Sequence, residues 1–95
     1  MRATLLYRHK LTFDDGAIID IVLWRLANPL YGCSHHFKYR LYFGYPGQRI
    51  VGYDNERGKG DHRHLQGEQI AYDFVSPSKL IDDFLADIKL WRQNQ

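Results

Sequence analysis

His62 and His64 stand two residues apart inside the segment YDNERGKGDHRHLQG, residues 53–67. Imidazole changes its protonation near neutral pH, so two of them can supply a general base and a general acid. If the chain is extended there, a spacing of two points both rings to one side. Arg57, Lys59 and Arg63 surround them, and guanidinium and ammonium groups clamp phosphates. Gly58, Gly60 and Gly67 let the backbone approach an anion closely. A base, an acid and a cation at the scissile phosphate are what RNA cleavage through the ribose 2′-hydroxyl requires. Two other readings compete. In one, His62 and His64 ligate a metal with Asp61, or with His35 and His36; a complete zinc spacing is absent, so no metal and no cofactor is expected. In the other, the segment is a polar connector tied by salt bridges. It is not a P-loop, because GxxxxGK[ST] is missing.

The elements that must hold these residues are mostly strands. In RATLLYRHKLTF, residues 2–13, Ala3, Leu5, Tyr7, Leu11 and Phe13 share one parity, which predicts a strand with one buried face. DDG at 14–16 signals a turn into AIIDIVLWRLA, whose β-branched content predicts a central strand. NPLYGCSHH reads as a loop. FKYRLYFGY then alternates, with Phe37, Tyr39, Leu41, Phe43 and Tyr45 facing one way and Lys38, Arg40 and Tyr42 the other. YPGQ at 45–48 predicts a type II turn and RIVGYD the return strand. After the glycine-rich segment, QIAYDF at 69–74 predicts the fifth strand. Ser76 and Pro77 open an amphipathic helix whose apolar stripe is Leu80, Ile81, Phe84, Leu85, Ile88 and Trp91. The expected fold is α+β: one domain over residues 1–95, a five-stranded, mostly antiparallel meander with the C-terminal helix packed on one face. The other face, with Lys38 and Arg40, stays open to bind RNA.

Composition narrows the class. Ninety-five residues with 44% apolar and 15% aromatic content make one globular domain. The net charge is only +2, but residues 38–64 hold six Lys/Arg against three Asp/Glu, which favours phosphate-bearing partners. Cys33 is the only cysteine, so an internal disulfide is excluded and a reducing cytoplasm is the expected location. No signal peptide and no membrane span are read in the sequence.

The stretch KYRLYFGYPGQRIVGYDNERGKGDHRH, followed by YDFVSPSKLIDDFLADIKLWR, resembles the TumE-like family of small bacterial proteins. That family is the proposed toxin half of type II toxin–antitoxin modules. The resemblance rests on the YRL strand, the YDN strand end, the KGDHRH segment and the final helix. It implies a growth-inhibiting toxin neutralised by a helix-turn-helix antitoxin, and it implies Tyr53, Asp54, Asn55, His62 and His64 as the site residues. Metal-independent ribonuclease chemistry follows from the histidines and cations. RNA contacts fall to Arg57, Lys59, Arg63, Lys38 and Arg40. The alternative is a non-catalytic module that binds nucleic acid or a partner protein. The oligomeric state is open between monomer and homodimer.

Overall fold

The computed structural model describes residues 2–95. It is one antiparallel sheet with strands in chain order: β1 Ala3–Thr12, β2 Ile18–Leu26, β3 Phe37–Tyr45, β4 Gln48–Glu56, β5 Gly60–Leu65 and β6 Glu68–Ala71. Helix α1, Pro77–Gln93, crosses one face. The α+β meander with a C-terminal helix is therefore as expected, but with six strands rather than five. The added strand is β5, which lies in the polar segment. Neither of its faces is hydrophobic, so hydropathy gives no period there, and the cross-strand pairing has to be seen directly.

Alternation sorts the sheet into two faces. Ile19, Ile21 and Leu23 of β2, Tyr39, Leu41 and Phe43 of β3, and Val51 and Tyr53 of β4 are buried on the helix side. Leu80, Phe84 and Ile88 of α1 close over them, while Ile81 and Trp91 pack at the margin. Leu85, on the same predicted stripe, is 46% exposed. The helix starts where the sequence says. Ser76 Oγ accepts from the Lys79 amide at 3.1 Å, and Pro77 takes the first turn, where its missing N–H costs nothing. Trp91 meets the Phe43 ring edge-on at 5.7 Å.

Strand β1 departs from the expected buried face: all ten of its residues are exposed. It pairs with β2 on one edge, and Leu6 is bulged out between the Leu5–Trp24 and Tyr7–Leu23 pairs. The extra residue reverses parity, so Leu5 lies on the open side and Tyr7 on the helix side. Helix α1 packs over β3 and β4, and nothing among the described residues covers β1.

Candidate functional site

The turn Arg57–Gly58–Lys59 folds β5 back onto β4. Gly58 at φ +81 and Gly60 at φ +77 adopt the left-handed region that side chains resist. The Lys59 amide donates to Glu56 O at 3.0 Å, and the Gly58 amide to Tyr31 O at 2.6 Å, which docks the turn on the loop before β3. The resulting register pairs Gly52 with His64, Tyr53 with Arg63, Asp54 with His62, and Asn55 with Asp61. Paired residues share a face. The segment is thereby divided: Tyr53, Asn55, Asp61 and Arg63 point under the helix, whereas Asp54, His62 and His64 point to the open face with Lys38 and Arg40.

The helix-side group forms a buried polar network. The Tyr53 hydroxyl donates to Asp87 Oδ2 of α1. Arg63 grips the same carboxylate twice, Nε to Oδ2 at 2.9 Å and Nη2 to Oδ1 at 2.5 Å. Burial, followed by the hydrogen bond to Asp87, pushes the Tyr53 phenol well above its ordinary range. Asn55 is fully buried and finishes β3 as a backbone would: its Oδ1 accepts from the Tyr39 amide at 3.0 Å and its Nδ2 donates to Phe37 O at 2.7 Å. Asp61 Oδ1 accepts from Tyr39 at 2.6 Å and pairs with His35 Nε2 at 2.8 Å.

Cys33, His35 and Asp61 lie close enough together to be considered as metal ligands. The Phe37 amide donates to His35 Nδ1 at 3.1 Å, so that nitrogen holds the lone pair and Nε2 carries the proton given to Asp61. A metal on Nε2 would have to displace that proton and leave the ring without one. Burial and the nearby Asp61 charge raise the Cys33 thiol above its ordinary value, which disfavours the thiolate a metal needs. The donor set therefore fits a hydrogen-bonded cluster better than a metal centre.

The open-face group has different geometry. His64 Nε2 lies 3.2 Å from Asp54 Oδ1, and the His62 and His64 rings are 6.4 Å apart. With Glu56, Lys59 and Gln69 they line a shallow depression of about 310 Å³. Lys59 is 3.5 Å from Glu56 at the exposed turn, and Arg57 projects from the same turn. Lys38 Nζ donates to Asn55 O. Arg40 is exposed and stands opposite Asp54 in the register. A carboxylate-held imidazole, a second imidazole and several cations thus share one face of the sheet, where His64 is buried and His62 partly exposed.

The chain matches the family model described as Toxin TumE over residues 2–92. It belongs to the TumE toxin family. The match spans all six strands and nearly all of α1, so the family is shown for the whole fold and not for the histidine segment alone. No match was found among curated proteins or among solved structures. No described helix of this TumE-family chain is long and apolar enough to cross a membrane.

In this TumE-family chain, Asp54, His62 and His64 come together, with Arg40 and Lys59 beside them, Lys38 on the same face and Arg57 out on the exposed turn. Tyr53, Asn55 and Arg63 face away from them and are engaged by Asp87 and by β3. Sequence reasoning missed Asp87, His35 and Asp61 as members of the helix-side network. The only local signal was an aspartate within the helix, beside an apolar stripe, and its partner lies 24 residues away in sequence.

Proposed function

We propose that this TumE-family chain is the toxin of a toxin–antitoxin module and that it cleaves RNA at the open-face histidine centre. The observation that supports this reading is the Asp54–His64 pair with His62 beside it on the cation-bearing face of the sheet that the helix leaves uncovered. Asp54 accepts the Nε2 proton of His64 and leaves Nδ1 as the base, the arrangement a carboxylate imposes on a catalytic imidazole. His64 removes the proton of a ribose 2′-hydroxyl, and that oxygen attacks the adjacent phosphorus. The bond from phosphorus to the 5′-oxygen breaks, and protonated His62 gives its proton to that oxygen, leaving a 2′,3′-cyclic phosphate. Arg40, Lys38, Lys59 and Arg57 bind flanking phosphates. Imidazoles carry every proton in this scheme, so it calls on no metal. Tyr53 and Arg63 contribute by tying β4 and β5 to Asp87 of α1, and Asn55 by tying β4 to β3.

The partner in this reading is an antitoxin, of the helix-turn-helix type that the sequence resemblance implies, and the setting is the cytoplasm. A second reading has a specific observation behind it. His64 is only 9% exposed, which suits a non-catalytic face that binds RNA or a partner protein. Cleavage of a defined RNA by purified protein separates the two. His62→Ala should lower cleavage by about 100-fold or more while RNA binding persists. A non-catalytic face would show no cleavage at all, with binding lost mainly on removing Arg40 and Lys59 and falling steeply with salt.

A further inference from the structure

A second depression lies on the same open face, with a volume of about 390 Å³, lined by Arg8, Lys10, Asp20, Arg40 and Tyr42 among others. The register explains why these residues meet. Lys10 pairs with Asp20, Asp20 with Tyr42, Tyr42 with Gly52, and Gly52 with His64. They form one row running straight across the sheet to the histidine centre. Arg8, Val22, Arg40, Asp54 and His62 form the adjacent row. At about 4.8 Å per strand, the depression sits roughly 10–15 Å from His64. Between them lies Arg49: a Cβ at Gly52 would stand 2.7 Å from Arg49 Cδ, so the absence of a side chain there lets Arg49 lie across the sheet as one more cation on this face.

Asp20 is the anomaly in this surface. Its Oδ1 is the one buried side-chain oxygen or nitrogen among the described residues that has no hydrogen-bond partner. Such an acceptor disfavours the folded state unless something supplies a donor. A carboxylate among cations is also the wrong group for holding a phosphate, which it repels. It is the right group for a base edge. Beside it the Tyr42 hydroxyl donates to Tyr45 O at 2.6 Å, which pins the ring as a stacking surface.

We propose that this depression is a guanine-selective nucleotide subsite, resting on the reading of the open face as an RNA site. The base stacks on Tyr42 and gives its edge to Asp20, while Arg8, Lys10 and Arg40 take neighbouring phosphates. Among the four RNA bases, guanine has two adjacent donors on one edge, the ring N1–H and the exocyclic N2 amino group. Those match the two oxygens of a carboxylate, with the Asp20 side chain turning on binding to bring its buried Oδ1 to the base. Uracil instead places carbonyls on both sides of its N3–H, and Asp20 repels them.

The test is binding of short uridine oligomers carrying one guanosine, adenosine or cytidine, followed by fluorescence anisotropy at low salt. Wild type should prefer the guanosine oligomer over all-uridine by roughly tenfold. Asp20→Asn, nearly isosteric, should bring that ratio below about twofold, with all-uridine binding unchanged or stronger because a negative charge is gone. Tyr42→Ala should weaken every oligomer. An unchanged guanosine preference in the folded Asp20→Asn protein, or no preference in wild type, would overturn the subsite and leave the RNA reading standing. Failure of wild type to bind any oligomer would overturn both.

Discussion

Arg63 and Asp87 join β5 to α1 through two hydrogen bonds, of 2.9 and 2.5 Å, on a carboxylate that also receives the Tyr53 hydroxyl. The arginine beside the two histidines is thus turned to the opposite face and holds the sheet to the helix. Arg63→Ala would leave a nine-tenths-buried aspartate side chain with one partner fewer. A fully buried pair broken on one side costs about 3–5 kcal/mol. Arg63 is 33% exposed, so about 2–3 kcal/mol is expected by urea melt. Arg63→Lys should recover only part of it, because the two-pronged geometry is lost. If Arg63 instead served mainly as an RNA contact, the alanine variant would melt like wild type and bind RNA more weakly.

The helix stripe makes a graded test of packing. Phe84 is fully buried and meets the Tyr53 ring edge-on at 6.1 Å. Phe84→Ala should cost about 3–5 kcal/mol, enough to unfold much of the population of so small a domain. Leu85, 46% exposed, should cost less than about 1 kcal/mol on truncation. Equal losses in the two melts would contradict the observed orientation of α1.

How far the sequence could be read depended on whether hydropathy carried the signal. Helix α1 was legible from Ser76, Pro77 and a stripe of period 3.6, and the β3–β4 hairpin from alternation around YPGQ. Strand β5 was hidden because Asp61 and Arg63 are satisfied by Tyr39, His35 and Asp87, partners far away in sequence that leave no periodic trace. Strand β1 was read as half-buried because alternation shows which side chains share a side but not whether anything covers them; the Leu6 bulge then broke even that sharing. At the site, the spacing of His62 and His64 was sufficient to put both rings on one side. Arg63, between them, necessarily pointed the other way, which alternation alone implied once the segment was known to be a strand.

Asn55 substitutes for a missing piece of strand, so its loss should be felt through the backbone. Asn55→Ala would strand the Tyr39 amide and the Phe37 carbonyl, both of which it now satisfies. Each buried orphan costs about 1–3 kcal/mol, so about 2–6 kcal/mol is expected in a denaturant melt. Asn55→Asp should be at least as damaging, since it turns a donor at the Phe37 carbonyl into a second acceptor. A melt within about 0.5 kcal/mol of wild type would show that water replaces the side chain there.

Three tyrosines set the behaviour in alkali. Burial, then a hydrogen bond to Asp61, Asp87 or Asp83, raises the phenols of Tyr39, Tyr53 and Tyr72 respectively above the ordinary value of about 10. A folded-state value above the unfolded one means that their contribution is fully present below about pH 10. It is lost as pH rises further, because the unfolded chain releases those protons first. Tyrosinate absorbance should therefore lag for these three and then rise cooperatively with loss of circular dichroism. Smooth ionisation of all tyrosines near pH 10 with the fold intact would mean that the three hydroxyls are open to solvent.

Asp54 decides whether the histidine centre is chemical or only a surface, because it touches His64 and not the reacting phosphate in the proposed scheme. Its Oδ1, 3.2 Å from Nε2, holds the proton there and leaves Nδ1 free. Asp54→Asn keeps the shape but can offer Nε2 an amide donor, which favours the opposite tautomer and puts the proton on Nδ1. Cleavage should then fall by about 10-fold or more in kcat, with KM and RNA affinity little changed, because binding is carried by the cations. Nitrogen-15 spectra of the His64 ring should show the tautomer change in the same variant. A structural role alone would instead lower the melting temperature and leave the tautomer and kcat of the folded protein as they were. An unchanged kcat alongside a reversed tautomer would remove His64 Nδ1 from the role of base.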